Sequence, residues 1–151
     1  MRQTRRGVLG VVGAGVVGLA GCGSDAGTES PGGDSTTADG RSRPTVAPAQ
    51  VPALGGYLDG ANNYDEAVVD ARGQTAATVD VGVGDVGYGF GPAAIWVDTG
   101  TTVRWEWTGE GGPHNVVAED GTFDSGPTQL DSGTTYEATV ETSGVYNYYC
   151  S

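Results

Sequence analysis

His114 and Cys150 are the residues of this sequence best suited to chemistry, because an imidazole and a thiolate together form a donor pair for a transition metal ion. His114 is the only histidine. It stands in Gly111-Gly-Pro-His-Asn-Val-Val117, where a glycine-rich turn delivers it to the start of a strand. Cys150 closes the run Gly144-Val-Tyr-Asn-Tyr-Tyr-Cys150, and the other cysteine, Cys22, lies in a different context near the N-terminus. Each also has a plainer reading, the histidine as a hydrogen-bonded surface or core residue and the cysteine as a small buried hydrophobe. Hydrolytic chemistry has no support, since no G-x-S-x-G elbow presents a nucleophile. We expect no enzyme.

The elements that would hold these two residues are strands. Val79, Val81 and Val83 alternate with Asp80 and Gly82; Ile95 and Val97 with Trp96 and Asp98; Val103, Trp105 and Trp107 with Arg104 and Glu106. Tyr136, Ala138 and Val140 repeat the pattern, and Tyr146, Tyr148 and Cys150 share one face of a last strand. Period-two alternation of this kind marks strands with one buried face. Turn signals separate them at Asp98-Thr-Gly100, Gly109-Glu-Gly-Gly-Pro113, Glu119-Asp-Gly121, Asp131-Ser-Gly133 and Ser143-Gly144. Short strands so punctuated predict an all-β sandwich or barrel. Gly82-Val-Gly-Asp-Val-Gly87 satisfies G-x-G-x-x-G, but Tyr88-Gly-Phe-Gly-Pro92 forbids the helix that a dinucleotide site needs, so these glycines read as a loop or bulge.

Targeting and composition set the outer bounds. Arg5-Arg6 precede an apolar run from Val8 to Ala20, well short of the roughly 20 apolar residues of a spanning helix. Leu19-Ala-Gly-Cys22 follows and reads as a lipobox, with Cys22 lipidated. Residues 1–22 therefore read as a twin-arginine signal with lipobox. Residues 23–50, rich in Gly, Ser, Thr, Asp and Pro, read as a disordered tether, and residues 51–151 as one small domain. All nineteen acidic residues lie beyond Cys22 against four arginines (Arg41, Arg43, Arg72 and Arg104), and lysine is absent. Such a surface repels nucleic acid and fits a protein kept soluble in high salt; an acidic docking face for a cationic partner is the alternative.

The stretch from Gly100 to Gly126, with Gly144–Cys150, resembles the halocyanins, small blue copper proteins of haloarchaea within the cupredoxin family. The likeness runs from about Tyr57-Leu-Asp59 and Asn63-Tyr64 to the end and takes in the lipobox, the tether and the acidic surface. Its most specific parts are the G-G-x-H-N-V segment and the Y-Y-C strand end. The resemblance implies a cupredoxin-like antiparallel Greek-key sandwich with copper as cofactor, His114 and Cys150 as ligands, and Asn115 holding the two ligand loops together by hydrogen bonds. It further implies a type 1 copper electron carrier, lipid-anchored on the outer face of the cell membrane, with membrane redox proteins as donor and acceptor.

The family pattern also places a second histidine and a methionine soon after the cysteine, whereas here Ser151 is the last residue and Met1 the only methionine. We therefore expect a sequence truncated before its remaining ligands and its last strand, with an unpaired sheet edge, and at best weak copper binding through two protein ligands plus water. The alternatives are a degenerate or copper-storage cupredoxin, and a non-metal β-sandwich surface module in which His114 and Cys150 are incidental. Lipidation of Cys22 would leave Cys150 a free thiol.

Overall fold

The computed structural model describes residues 6–12, 35–36 and 42–151. Among them run eleven strands: β1 Arg6–Val12, β2 Ser35–Thr36, β3 Ser42–Arg43, β4 Val69–Asp70, β5 Ala76–Val83, β6 Gly89–Gly91, β7 Ala94–Asp98, β8 Thr102–Trp107, β9 Val117–Ala118, β10 Thr135–Thr139 and β11 Gly144–Tyr149. One short 3-10 turn spans Pro48–Gln50. The fold is the expected all-β sandwich of two facing sheets, ordered β4-β7-β1-β11-β9 and β10-β8-β5-β6. The sheets are mixed rather than wholly antiparallel, because β5 runs parallel to β8, and β7 runs parallel to both β1 and β4.

The alternation read in the sequence sets the inward faces. Val79 and Val81 of β5, Val103, Trp105 and Trp107 of β8, Ile95 and Val97 of β7, and Tyr146 and Tyr148 of β11 meet in one buried core. Tyr148 lies at its centre, ring against ring with Phe90 at 4.9 Å, Trp105 at 5.7 Å and Phe123 at 6.0 Å. The first two pairs are edge-to-face and the third tilted, and aromatic pairs at such distances add to the burial of these large rings. The outer face of the five-stranded sheet is covered in turn by Val46, Leu58 and Val68, which pack on Val8 and Ala94. Val46 lies within the stretch whose composition suggests a tether. It is buried all the same, and its amide donates to the Val68 carbonyl at 2.8 Å.

The unpaired edge expected beside the last strand is absent. β11 is paired on both sides, by β9 at Tyr148 and Tyr149 and by β1 along its whole length. Residues 6–12 of the expected signal thus lie in the middle of the sheet. Gly7-Val-Leu-Gly-Val11 has no proline or charge and carries aliphatic side chains on both faces, the pattern of a strand covered on both sides. Leu9 and Val11 face the inter-sheet core and Val8 faces the outer cluster. A Cβ on Gly7 would fall 2.3 Å from the Tyr148 ring, so this position admits only glycine. The remainder of the expected signal, with the lipobox cysteine Cys22, and residues 23–34 and 37–41 of the expected tether lie outside the described residues.

Candidate metal centre

His114 and Cys150, thirty-six positions apart, meet at one end of the sandwich. Cys150 Sγ lies 3.9 Å from His114 Nδ1. Cys150 follows β11 directly and, as the alternation required, packs against the same core as Tyr146 and Tyr148. His114 precedes β9 and is 2% exposed. Two backbone bonds with Gln129 fix its position, the amide donating to the Gln129 carbonyl at 2.8 Å and the carbonyl accepting the Gln129 amide at 2.7 Å. The same His114 carbonyl accepts the indole N–H of Trp107 at 2.9 Å.

The ring is oriented from its far side. Nε2 lies 2.8 Å from the carbonyl of Glu110, and because a carbonyl can only accept, Nε2 carries the proton. In the neutral imidazole that leaves a lone pair on Nδ1, the nitrogen nearest the sulfur. Metal-bound histidines usually hold their second nitrogen in this way. Glu110 is itself fastened, since its amide donates to the Thr108 hydroxyl at 3.2 Å and that hydroxyl donates to the Gly82 carbonyl at 2.7 Å. Gly82 sits at a bulge in β5, where the pairing with β6 shifts between Val81 and Val83. With φ at +91°, a side chain there would stand 2.7 Å from the Glu110 carbonyl oxygen and 3.2 Å from His114 Nε2. The glycines of the G-x-G-x-x-G run therefore do serve as a bulge and a loop, and that bulge makes room for the imidazole and its hydrogen-bond acceptor.

Asn115, buried beside His114, joins the two loops. Its backbone amide points at Cys150 Sγ from 3.4 Å, and its Oδ1 accepts the Ser151 amide at 2.9 Å. Its Nδ2 donates to the Gly126 carbonyl at 3.2 Å and to the Ser151 hydroxyl at 2.9 Å. One side chain thus ties the segment after β11 to the segment before β9. Cys150 is part-buried.

The two donors fit a single ion. Metal–thiolate and metal–imidazole bonds of zinc-sized first-row ions are about 2.3 and 2.0 Å long, so together they exceed the 3.9 Å between Sγ and Nδ1. One ion could touch both atoms without either side chain moving. Among the described residues no group of three His, Cys, Asp or Glu side chains converges. The supporting atoms of Glu110, Thr108, Gln129 and Trp107 escaped the sequence reading. Most of them are backbone groups, which no residue type advertises, and Trp107 read simply as core.

Comparison with known proteins finds copper proteins similar to this part of the chain. Residues 77–151, which contain His114, Asn115 and Cys150, match the family of copper binding proteins described as plastocyanin/azurin. The chain is also similar to halocyanin of Natronomonas pharaonis, 47% identical over 90 residues that cover 58% of this chain and 55% of the relative. It therefore spans about half the length of that curated relative.

Proposed function

The chain is a halocyanin-like cupredoxin, a member of the plastocyanin/azurin copper-binding family through residues 77–151, and on that premise we propose that it is a blue copper electron carrier in which His114 and Cys150 hold the metal. One observation carries this reading. The sulfur and the unprotonated nitrogen lie 3.9 Å apart, with Nε2 bound to Glu110 on the opposite side of the ring. Copper, when bound, supplies one-electron exchange between Cu(II) and Cu(I), which thiolate and imidazole donors both tolerate.

The protein's part is to keep its donors still. Gln129 and Trp107 hold the His114 backbone, Glu110 holds the ring, and Asn115 holds the turn after Cys150. Donors fixed in this way move little between the two charge states of the ion, so little reorganisation opposes electron transfer. An electron carrier needs a redox donor and acceptor. We assign these roles to proteins of the same membrane, reached by a carrier that is lipid-anchored through Cys22 on the outer face. The twin arginine, the apolar leader and the Leu19-Ala-Gly-Cys22 sequence support that placement.

Titration of the full chain with Cu(II), with imidazole added to supply a second nitrogen, tests the ligand assignment. We expect one equivalent to bind and to produce an intense thiolate-to-Cu(II) absorption band. His114→Ala and Cys150→Ser should each abolish the band. A band that survives either substitution would remove that residue from the ligand set.

A further inference from the structure

We propose that Asn62 and Asn63 are positioning residues for the metal centre, latching the loop of residues 84–91 against the segment that orients the His114 ring. The proposal rests on the reading of His114 as a metal ligand, and its test is made without metal, so its failure and a failure of the copper reading are separate results. Asn63 stands with φ at +62°, a left-handed conformation that asparagine tolerates better than most side chains. Its Nδ2 donates to the Phe90 carbonyl at 2.9 Å, and Nδ2 of Asn62 donates to the Tyr88 carbonyl at 3.4 Å. The loop is shaped to receive them. A Cβ on Gly89 would fall 2.6 Å from the Asn63 Cβ, and Cβ atoms on Gly84 and Gly91 would stand 3.6 and 3.5 Å from the same side chain.

The other side of the loop bears on the metal centre. Gly84 and Gly87 close a tight turn, the Gly87 amide donating to the Gly84 carbonyl at 3.1 Å, with φ at +85° and +69°. Gly87 lies so close to the neighbouring segment that a Cβ on it would fall 2.5 Å from the Gly111 nitrogen and 2.8 Å from the Glu110 carbonyl carbon. The oxygen of that carbonyl accepts the His114 Nε2 proton. Tyr88, the next residue, sets its ring edge-on to the imidazole, with centroids 6.3 Å apart and planes at 75°. The glycines of Gly82-Val-Gly-Asp-Val-Gly87 therefore have separate parts: Gly82 makes room for the imidazole, Gly84 for Asn63, and Gly87 for the Glu110–Gly111 backbone. Asp85 and Val86 at the tip of the turn are exposed and pack little. The loop's approach to His114 is thus set by what fastens its outer side, the two asparagines.

Exchange of the His114 Nε2 proton, read by NMR on the metal-free full chain, tests this. Asn63→Asp keeps the shape and the tolerance of a left-handed backbone but sets an acceptor against the Phe90 carbonyl. Its Nε2 proton should exchange with water about 5- to 10-fold faster than in wild type, the scale of one lost hydrogen bond. Asn62→Ala, which loses only the longer bond, should show a smaller acceleration. Val103→Ala opens a cavity at the end of β8 remote from His114, where Val103 pairs with Ala77 while Trp107 pairs with Val81, and it controls for stability alone. It should lower the urea midpoint and leave the Nε2 proton as slow as in wild type. An unchanged Nε2 proton in Asn63→Asp would overturn the proposal, as would an equal acceleration in Val103→Ala. Should Asn63→Asp fail to fold, Asn62→Ala decides: an acceleration absent from Val103→Ala supports the latch, and no acceleration sinks it.

Discussion

The backbone amide of Asn115 lies 3.4 Å from the sulfur of Cys150, and the Asn115 side chain holds the residue immediately after that cysteine through both of its polar atoms. Asn115 is thus the joint between the two segments that carry the donors. Asn115→Ala breaks it and leaves the Gly126 carbonyl and the Ser151 amide without this partner. Loss of a supporting group of this kind lowers metal affinity about 10- to 100-fold, and the lost buried bonds cost about 1–3 kcal/mol. Competition against a chromophoric chelator gives the first quantity and urea unfolding the second. Asn115→Asp, which keeps an acceptor for the Ser151 amide, should fall between wild type and alanine.

Gly82→Ala should damage the centre from outside the ligand set. The new methyl meets the Glu110 carbonyl at 2.7 Å, on a backbone whose φ of +91° side chains rarely adopt. Either the bulge straightens or the Glu110 carbonyl withdraws from His114 Nε2. We expect a loss of about 1–3 kcal/mol in denaturant unfolding. In the NMR spectrum the Nε2 proton of His114 should broaden through faster exchange with water, while a slowly exchanging Nε2 proton in the variant would show the contact to be unimportant.

The parts of this fold that were legible in the sequence are those in which one side chain decides. Val79 and Val81, Ile95 and Val97, and Val103, Trp105 and Trp107 declare their inward faces because alternation is a local pattern. His114 and Cys150 stood out as donors, and their meeting at 3.9 Å rests on Cys150 extending the inward face of Tyr146 and Tyr148. What stayed hidden is non-local or belongs to the backbone. Gly7-Val-Leu-Gly-Val11 carries the same apolar run whether it leads export or fills a sheet, and its partners lie more than eighty residues away. The parallel pairing of β5 with β8 is a matter of topology, and the Glu110 carbonyl that orients His114 has no signature in residue type.

Alkaline pH should unfold the domain through its buried phenols. Burial, and next the charge of Glu119, push Tyr57 up to about 12, and burial also raises Tyr148. In the unfolded chain both ionise near 10, so between pH 10 and 12 the unfolded state binds fewer protons than the folded one and stability falls as pH rises. Below pH 10 neither tyrosine contributes a slope. The Tyr148 hydroxyl is fully buried and falls short of a full hydrogen bond, with only the Trp105 indole N–H beside it among the described residues, so Tyr148→Phe should be near neutral at pH 7. The same variant should unfold at higher urea than wild type at pH 11, and an identical decline in both proteins would show that Tyr148 does not titrate in this way.

Trp105 and Trp107 offer a matched pair, two fully buried indoles on the same face of β8 that differ in what their N–H groups do. Trp107 Nε1 donates to the His114 carbonyl, whereas Trp105 Nε1 faces the buried Tyr148 hydroxyl without a full hydrogen bond and reaches no group that holds His114. Replacing either by phenylalanine removes similar volume and opens a similar cavity, so that part of the cost cancels in the comparison. Trp107→Phe additionally breaks a hydrogen bond, worth about 1 kcal/mol, while Trp105→Phe removes only the weaker contact with the Tyr148 hydroxyl. Trp107→Phe should therefore be the more destabilising in urea unfolding, by roughly 1 kcal/mol or more. It should also loosen the His114 backbone, which keeps its Gln129 bonds but loses the indole, and so weaken copper affinity where Trp105→Phe does not. Equal losses of stability and affinity in the two variants would mean that the indole of Trp107 acts by bulk alone and that His114 is held without it.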